Sequence, residues 1–265
     1  MGLCPRTTGR PHAYRDGVSD AVPDWLTAAR RICVLSGAGI STDSGIPDYR
    51  GPNGVWTRDP DAEKLVTLSY YLADPDIRRR AWLMRRDLQA GEVVPNAGHR
   101  ALADLERQGR LLALVTQNVD GLHQAAGSTP DRVLEIHGTV HEVECLSCRD
   151  RTTMRSALAR VDAGERDPAC LVCGGILKSA TVSFGQELDE RVVAAAATAA
   201  ADCDVFMAVG TSLQVWPVAG LTEIAAAHGA RVVIVNAEAT PFDDLADLVV
   251  RESISTALPV LLAGS

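Results

Sequence analysis

The sequence predicts an α/β fold, a parallel sheet with helices on both faces plus a smaller second lobe, on three observations. First, short apolar runs such as Ile32-Cys33-Val34-Leu35 end in small or polar residues, and the pattern recurs in LLALVTQNVD (111–120), DVFMAVGTS (204–212) and RVVIVNAEA (231–239). Strands buried on both faces read as continuous apolar runs. Second, the runs alternate with segments carrying Leu and Ala at helical spacing, Gly98 to Gln108, Glu190 to Ala201 and Val218 to His228. Such alternation favours parallel pairing, with ligands bound at the strand carboxyl ends. Third, two stretches break the alternation: 61–94 reads as helical throughout, and 145–177 carries two cysteine pairs. The expected organisation is a flexible leader over 1–20, a large lobe from 21–60, 95–144 and 178–265, and a small lobe from the two insertions. The alanine tract Ala194 to Ala201 belongs to a close-packed helix in this scheme.

A chain of 265 residues buries a substantial core without disulfide staples, and 46% apolar with 23% charged residues is ordinary globular composition. The net charge of −8 argues against bulk attraction to nucleic acid and suits a basic partner such as a lysine-bearing peptide. The first 17 residues lack the apolar core of a signal peptide, and no stretch approaches the roughly 18 apolar residues of a membrane span. A cytoplasmic protein without a membrane partner is expected. Gly2 is not followed by the Ser or Thr of a myristoylation motif, since Arg6 stands there.

Of seven cysteines, four form the pairs Cys145-x-x-Cys148 and Cys170-x-x-Cys173, separated by 21 residues. Two such pairs fit a tetrahedral Cys4 zinc site better than a redox pair or buried thiols, and four sulfurs leave no open position, so the ion is structural. The intervening segment has five Arg and no aromatic residue, which disfavours a nucleic-acid ribbon that stacks bases. Cys4, Cys33 and Cys203 lack patterned partners.

In GAGISTDSGIPDYRG (37–51), Gly37 and Gly39 follow the first strand, where glycines let backbone amides approach a phosphate. The dinucleotide fingerprint is incomplete: Thr42 stands in place of the third glycine, and Asp59, at the spacing of the ribose-binding acid, lies in no strand. A glycine turn that merely packs helix on sheet is the alternative.

The ordered motifs GAGISTDSGIPDYRGPNGVW, TQNVDGLH, EIHG, the paired C-x-x-C, VSFG, VGTSLQVWP and VNAE make the chain resemble the sirtuins, NAD-dependent protein-lysine deacylases, from about residue 30 to its end. The resemblance implies a Rossmann-like NAD lobe, a small lobe of zinc ribbon and helices, and a cleft where NAD meets acyl-lysine. It further implies that the acyl oxygen attacks C1′ of the nicotinamide ribose, nicotinamide leaves, and the ribose 2′-hydroxyl attacks the resulting imidate. His137 would be the base for that hydroxyl, a task suited to imidazole near neutral pH. Gln117 would contact the ribose, Asn118 position the reacting groups and Asp120 bind the nicotinamide carboxamide, with Val119 between them. The cofactor segment would comprise Gly37, Ala38, Gly39, Ser41, Thr42, Ile46, Pro47, Asp48, Tyr49, Arg50 and Trp56, Tyr49 shielding C1′ where many sirtuins have Phe. The adenosine half would meet Gly210, Thr211, Ser212, Asn236, Ala237 and Glu238, with Ile254 presenting a backbone amide to adenine.

By the same resemblance the peptide docks as an added strand on TVSFG and QVWPV, and Val182, Ser183, Phe184, Gly185 and Val215 line the acyl-lysine site. Gln186 stands where the family usually has Glu. Desuccinylating sirtuins carry Tyr-x-x-Arg in the helical insertion; here the aligned residues are Trp82 and Arg85, the tyrosine being absent. The run IRRRAW (77–82) is closer to the branch associated with lipoyl, biotinyl and other bulky acyl groups and with weak deacetylation, or it is a solvated basic helix face with one buried Trp. Deacetylation is the default expectation, with bulky-acyl removal or mono-ADP-ribosylation in the same cleft as alternatives. His141 is expected to be structural.

Overall fold

In a computed structural model, residues 13–15, 22–48, 59–89, 91 and 93–263 are described. Ten strands are present among them: β1 Ala13–Arg15, β2 Ile32–Ser36, β3 Leu111–Thr116, β4 Val133–Glu135, β5 Gly138–Cys145, β6 Arg151–Thr153, β7 Leu177–Thr181, β8 Val205–Val209, β9 Arg231–Val235 and β10 Leu248–Val250. Seven of them form an all-parallel sheet in the order β1-β10-β9-β8-β2-β3-β4. β1 lies within the segment expected to be a flexible leader, yet it pairs with β10 at one edge of the sheet; from β2 the chain builds outward through β3 to β4, then returns to β8 and builds the other way toward that edge. The switch point therefore lies between β2 and β8, the place where open parallel sheets leave a crevice for ligands.

Alternation along β2 divides the core. Val34 enters the layer that holds Leu102, Leu105, Leu258 and Leu261, whereas Cys33 and Leu35 enter the layer with Ala196, Ala200, Phe206 and Ala225. The first layer is covered by the helices Ala97–Arg107 and Ile254–Leu261. The second is covered by Glu190–Asp202 and Leu221–Ala227, whose alanines allow the close packing expected of that tract. Asn96 starts the Ala97–Arg107 helix with a capping box closed by His99. The helix expected from Val218 begins instead as a 3₁₀ turn, Val218–Gly220, before Leu221–Ala227.

The small lobe is a three-stranded antiparallel sheet, β6-β5-β7, with the helix Met154–Asp162 against it. The expected boundaries at 144/145 and 177/178 both cut strands, since β5 starts at Gly138 and β7 runs from Leu177. Gly138 makes the crossover: at φ 73° it lies in the left-handed region, and a Cβ there would sit 2.0 Å from the Ala180 carbonyl oxygen. The 61–94 insertion is not one helical run but three pieces, a 3₁₀ segment Pro60–Val66 and the helices Leu68–Ala73 and Pro75–Gln89. Pro75 supplies no N–H and holds Asp74 extended, which forces the break between the two helices.

Candidate functional site

The glycine turn meets β8 by backbone contact at the switch point. A Cβ on Gly39 would lie 2.8 Å from the Gly210 Cα, and one on Gly37 would lie 2.7 Å from the Gly210 oxygen. The Gly37 amide donates to Val209 O at 2.9 Å and the Gly39 amide to Gly210 O at 2.8 Å. Those two amides are thus engaged within the protein, so the glycines here serve close packing, and the turn continues as the 3₁₀ segment Ala38–Ser44. Gly39→Ala is expected to cost about 1–3 kcal/mol, because backbone faces the new methyl on the Gly210 side. Urea unfolding of the variant measures it, and wild-type stability would contradict this packing.

Around the turn lies one cavity of about 850 Å³. Its walls include Gly37, Ala38, Gly39, Thr42 and Asp48 from the turn, Gln117, Asn118 and Val119 after β3, and His137 before β5. Gly210, Thr211 and Ser212 follow β8, Asn236, Ala237 and Glu238 follow β9, and Ile254 opens the last helix. Val182, Ser183, Phe184, Gly185, Val215 and Arg85 also line it. Residues far apart in sequence thus converge on one space, of the size that small-molecule sites occupy.

Five expected site residues lie elsewhere. Trp82 is fully buried in the small-lobe core with Val143, Met154 and Leu158, so it supports the lobe and lines no acyl site. Ile46 and Pro47 are outside the cavity wall. Ser41 and Asp120 stand behind it: the Ser41 hydroxyl donates to Asp120 Oδ2 at 2.8 Å, and the Asn118 amide donates to Ser41 Oγ at 3.0 Å. Asp120 Oδ1 also accepts from the Leu122 amide at 3.0 Å. Tyr49, Arg50 and Trp56 lie outside the described residues.

His137 Nδ1 is 3.0 Å from Gln117 O. A carbonyl only accepts, so the proton is on Nδ1 and Nε2 keeps its lone pair. Burial lowers the His137 pKa below its usual value, partly opposed by that hydrogen bond, which keeps the ring neutral. His99 and His123 pack with ring centroids 5.0 Å apart. Desolvation lowers their pKa values to about 4 and about 3. The unfolded chain titrates these rings near 6.5, so as pH falls below that value it takes up protons that the folded chain refuses, and stability drops. The thermal midpoint is therefore expected to be lower at pH 5.5 than at pH 7.5, and an unchanged midpoint would contradict a neutral buried pair.

The expected strand-docking segment is partly committed internally. The Val182 amide donates to His137 O at 2.8 Å, and Phe184 exchanges hydrogen bonds with Val66 O and the Leu68 amide at 2.9 and 3.0 Å. These groups are not available to a docked peptide. Gln186 closes a turn instead of presenting a charge, its Oε1 accepting from the Ser183 amide at 3.2 Å. Sequence reasoning missed several wall residues, among them Met84, Leu88 and Trp216, the last 62% exposed. Trp216 was visible in QVWPV; Met84 and Leu88 carry no signal that separates them from an ordinary amphipathic helix.

The four paired cysteines cluster with all sulfurs within 4.8 Å of one another. Cys145 and Cys173 are 3.5 Å apart, and Cys148 and Cys170 are 3.7 Å apart. Four thiolates at about 2.3 Å around a tetrahedral zinc stand about 3.8 Å from each other, so the donor set fits that ion.

A family model described as the Sir2 family matches residues 37–217. The chain belongs to the Sir2 family. A curated relative from Streptomyces coelicolor, NAD-dependent protein deacetylase 2, is 60% identical over 239 residues, covering 90% of this chain and 99% of that protein. NAD-dependent protein deacetylase 1 of Bradyrhizobium diazoefficiens is 39% identical, covering 92% and 94%. A solved Sir2 structure with a p53 peptide and NAD+ superposes with a TM-score of 0.80 at 32% identity, covering 89% of this chain and 93% of that one. The Sir2 fold expected from the sequence, a Rossmann-like sheet with a zinc-ribbon lobe, is thereby established. No helix among the described residues is long and apolar enough to cross a membrane.

Proposed function

We propose that this Sir2-family chain is an NAD-dependent protein-lysine deacylase, with acetyl-lysine as its default substrate. The observation that carries the proposal is the tautomer of His137: Nδ1–H is held by Gln117 O, and the ring, with an Nε2 lone pair, lines the cavity. When bound, NAD supplies an activated ribose carbon with nicotinamide as leaving group and a neighbouring hydroxyl that receives the acyl group. His137 Nε2 takes the proton of that hydroxyl, and burial keeps the ring in its basic form. Asn118 is oriented by its donation to Ser41, which Asp120 holds from behind, so Asp120 acts through the pair and not by lining the cavity. The residues after β8 and β9, Gly210 to Ser212 and Asn236 to Glu238, hold the adenosine half, and Gln117, whose amide donates to Thr211 Oγ1 at 2.9 Å, ties the ribose side to it.

The substrate is an acyl-lysine protein or peptide of the cytoplasm, not nucleic acid or lipid, a reading supported by the net charge of −8. The apolar cavity end formed by Val182, Phe184, Val215 and Met84, with Arg85 beside them, receives the acyl-lysine. Nicotinamide release that requires both NAD and an acyl-lysine peptide tests the assignment. Release that is independent of the peptide would contradict it.

A further inference from the structure

His141 has no part in the chemistry above, yet it touches the loop that carries Asn118 and Asp120. Its Nε2 lies 3.0 Å from the Asp120 carbonyl oxygen. Because a carbonyl accepts, His141 donates from Nε2. Two further bonds run from the same stretch of chain to the same loop: His137 Nδ1 donates to Gln117 O at 3.0 Å, and the Val140 amide to Val119 O at 2.9 Å. The Asn118 amide in turn donates to Thr116 Oγ1 at 3.1 Å. Three carbonyls of the 117–120 loop are therefore held from residues 137–141.

We propose that His141 is a positioning residue that fixes the Asp120 end of this loop, and through it the side chain of Asn118. The Asp120 carbonyl held by His141 and the Asp120 carboxylate that receives Ser41 belong to one residue, so a shift of its backbone moves Ser41 Oγ and, with it, the Asn118 amide. The approach is built into the turn. Gly121 follows at φ 74°, and a Cβ there would lie 2.4 Å from His141 Nε2, so the ring reaches the carbonyl only because residue 121 has no side chain. His141 is itself exposed, and its amide donates to Thr139 Oγ1 at 3.3 Å. A contact of this kind needs no conserved chemistry at the ring, only a donor at that reach.

The inference rests on the deacylase reading and sharpens it. Kinetics of His141→Ala and His141→Gln test it, together with ADP-ribose affinity and thermal midpoints of the same proteins. Loss of one hydrogen bond predicts a kcat roughly three- to tenfold lower in His141→Ala with ADP-ribose binding unchanged, since the adenosine half sits on β8 and β9. His141→Gln, which keeps a side-chain donor, should recover most of that loss. Wild-type kcat in His141→Ala, a glutamine variant no better than alanine, or ADP-ribose binding weakened in step with kcat would each overturn the proposal. If wild-type protein releases no nicotinamide with any acyl-lysine peptide, the deacylase reading fails instead, which separates the two outcomes.

Discussion

His137→Ala is expected to lower acyl-lysine turnover by about 10²- to 10⁴-fold while NAD still binds. The magnitude follows from the proposed role: a positioned base contributes about that factor, and among the described residues no other imidazole lines the cavity. His99 and His123 are buried and are not among the cavity-lining residues, and His141 points its Nε2 into the Asp120 carbonyl. Binding is expected to survive because the residues assigned to the adenosine half lie after β8 and β9, and the loss of the ring removes only one donor to Gln117 O. The wild-type pH profile carries the same information. Burial lowers the His137 pKa, so the basic form persists below the ordinary histidine value of about 6.5, and the acid limb of kcat should fall on the acidic side of it. Isothermal titration with NAD and steady-state rates of the variant settle both halves, and full activity in the alanine variant would remove the base assignment.

Removing zinc, or replacing Cys170 with serine, is expected to unfold the small lobe and abolish acyl-peptide binding. Cys145 and Cys170 are not an appendage to that lobe but part of its core, packed with Trp82, Val143, Met154 and Leu177. A structural zinc contributes on the order of 10 kcal/mol, comparable with the whole stability of a small domain, and this lobe has only three strands with the helices Pro75–Gln89 and Met154–Asp162 around them. The large lobe has two apolar layers of its own and should keep its fold and its affinity for ADP-ribose. Trp82, buried in the lobe, offers the readout: its fluorescence should shift red on chelation and return when zinc is restored. Trp82 emission and peptide binding that are both unchanged after complete zinc removal would contradict the structural role of the ion.

The sheet was legible because strands buried on both faces are continuous apolar runs, and Ile32–Ser36 and Val205–Val209 are buried at every position. The zinc site was legible because its spacing is itself the geometry. The convergence of Asn118, His137, Gly210 and Asn236 on one cavity was legible only through the order of the motifs, since nothing local says which strands are neighbours. What escaped was orientation. Trp82 and Arg85 lie three residues apart on one helix, yet the first is buried in the zinc lobe and the second reaches the cavity, with its guanidinium carbon 6.0 Å from the Trp82 ring. Periodicity assigns both to one face without saying how far each side chain extends. The role of Ser41 was hidden for the same reason: it belongs to the cofactor turn in sequence, but its hydroxyl points away from the cavity toward Asp120. The two glycines leave both readings standing, a phosphate approach and a packing turn: Gly210 fills the space beside Gly37 and Gly39, and both also line the cavity.

Mass spectrometry of the products from a panel of acetyl-, succinyl- and lipoyl-lysine peptides, incubated with zinc-loaded protein and NAD, decides whether the chain transfers acyl groups from lysine to ADP-ribose. Deacylated lysine peptide, nicotinamide and O-acyl-ADP-ribose are expected in equal amounts for at least one acyl group. An unchanged panel, or adenine label from NAD fixed covalently to protein at a rate rivalling deacylation, would contradict that transfer.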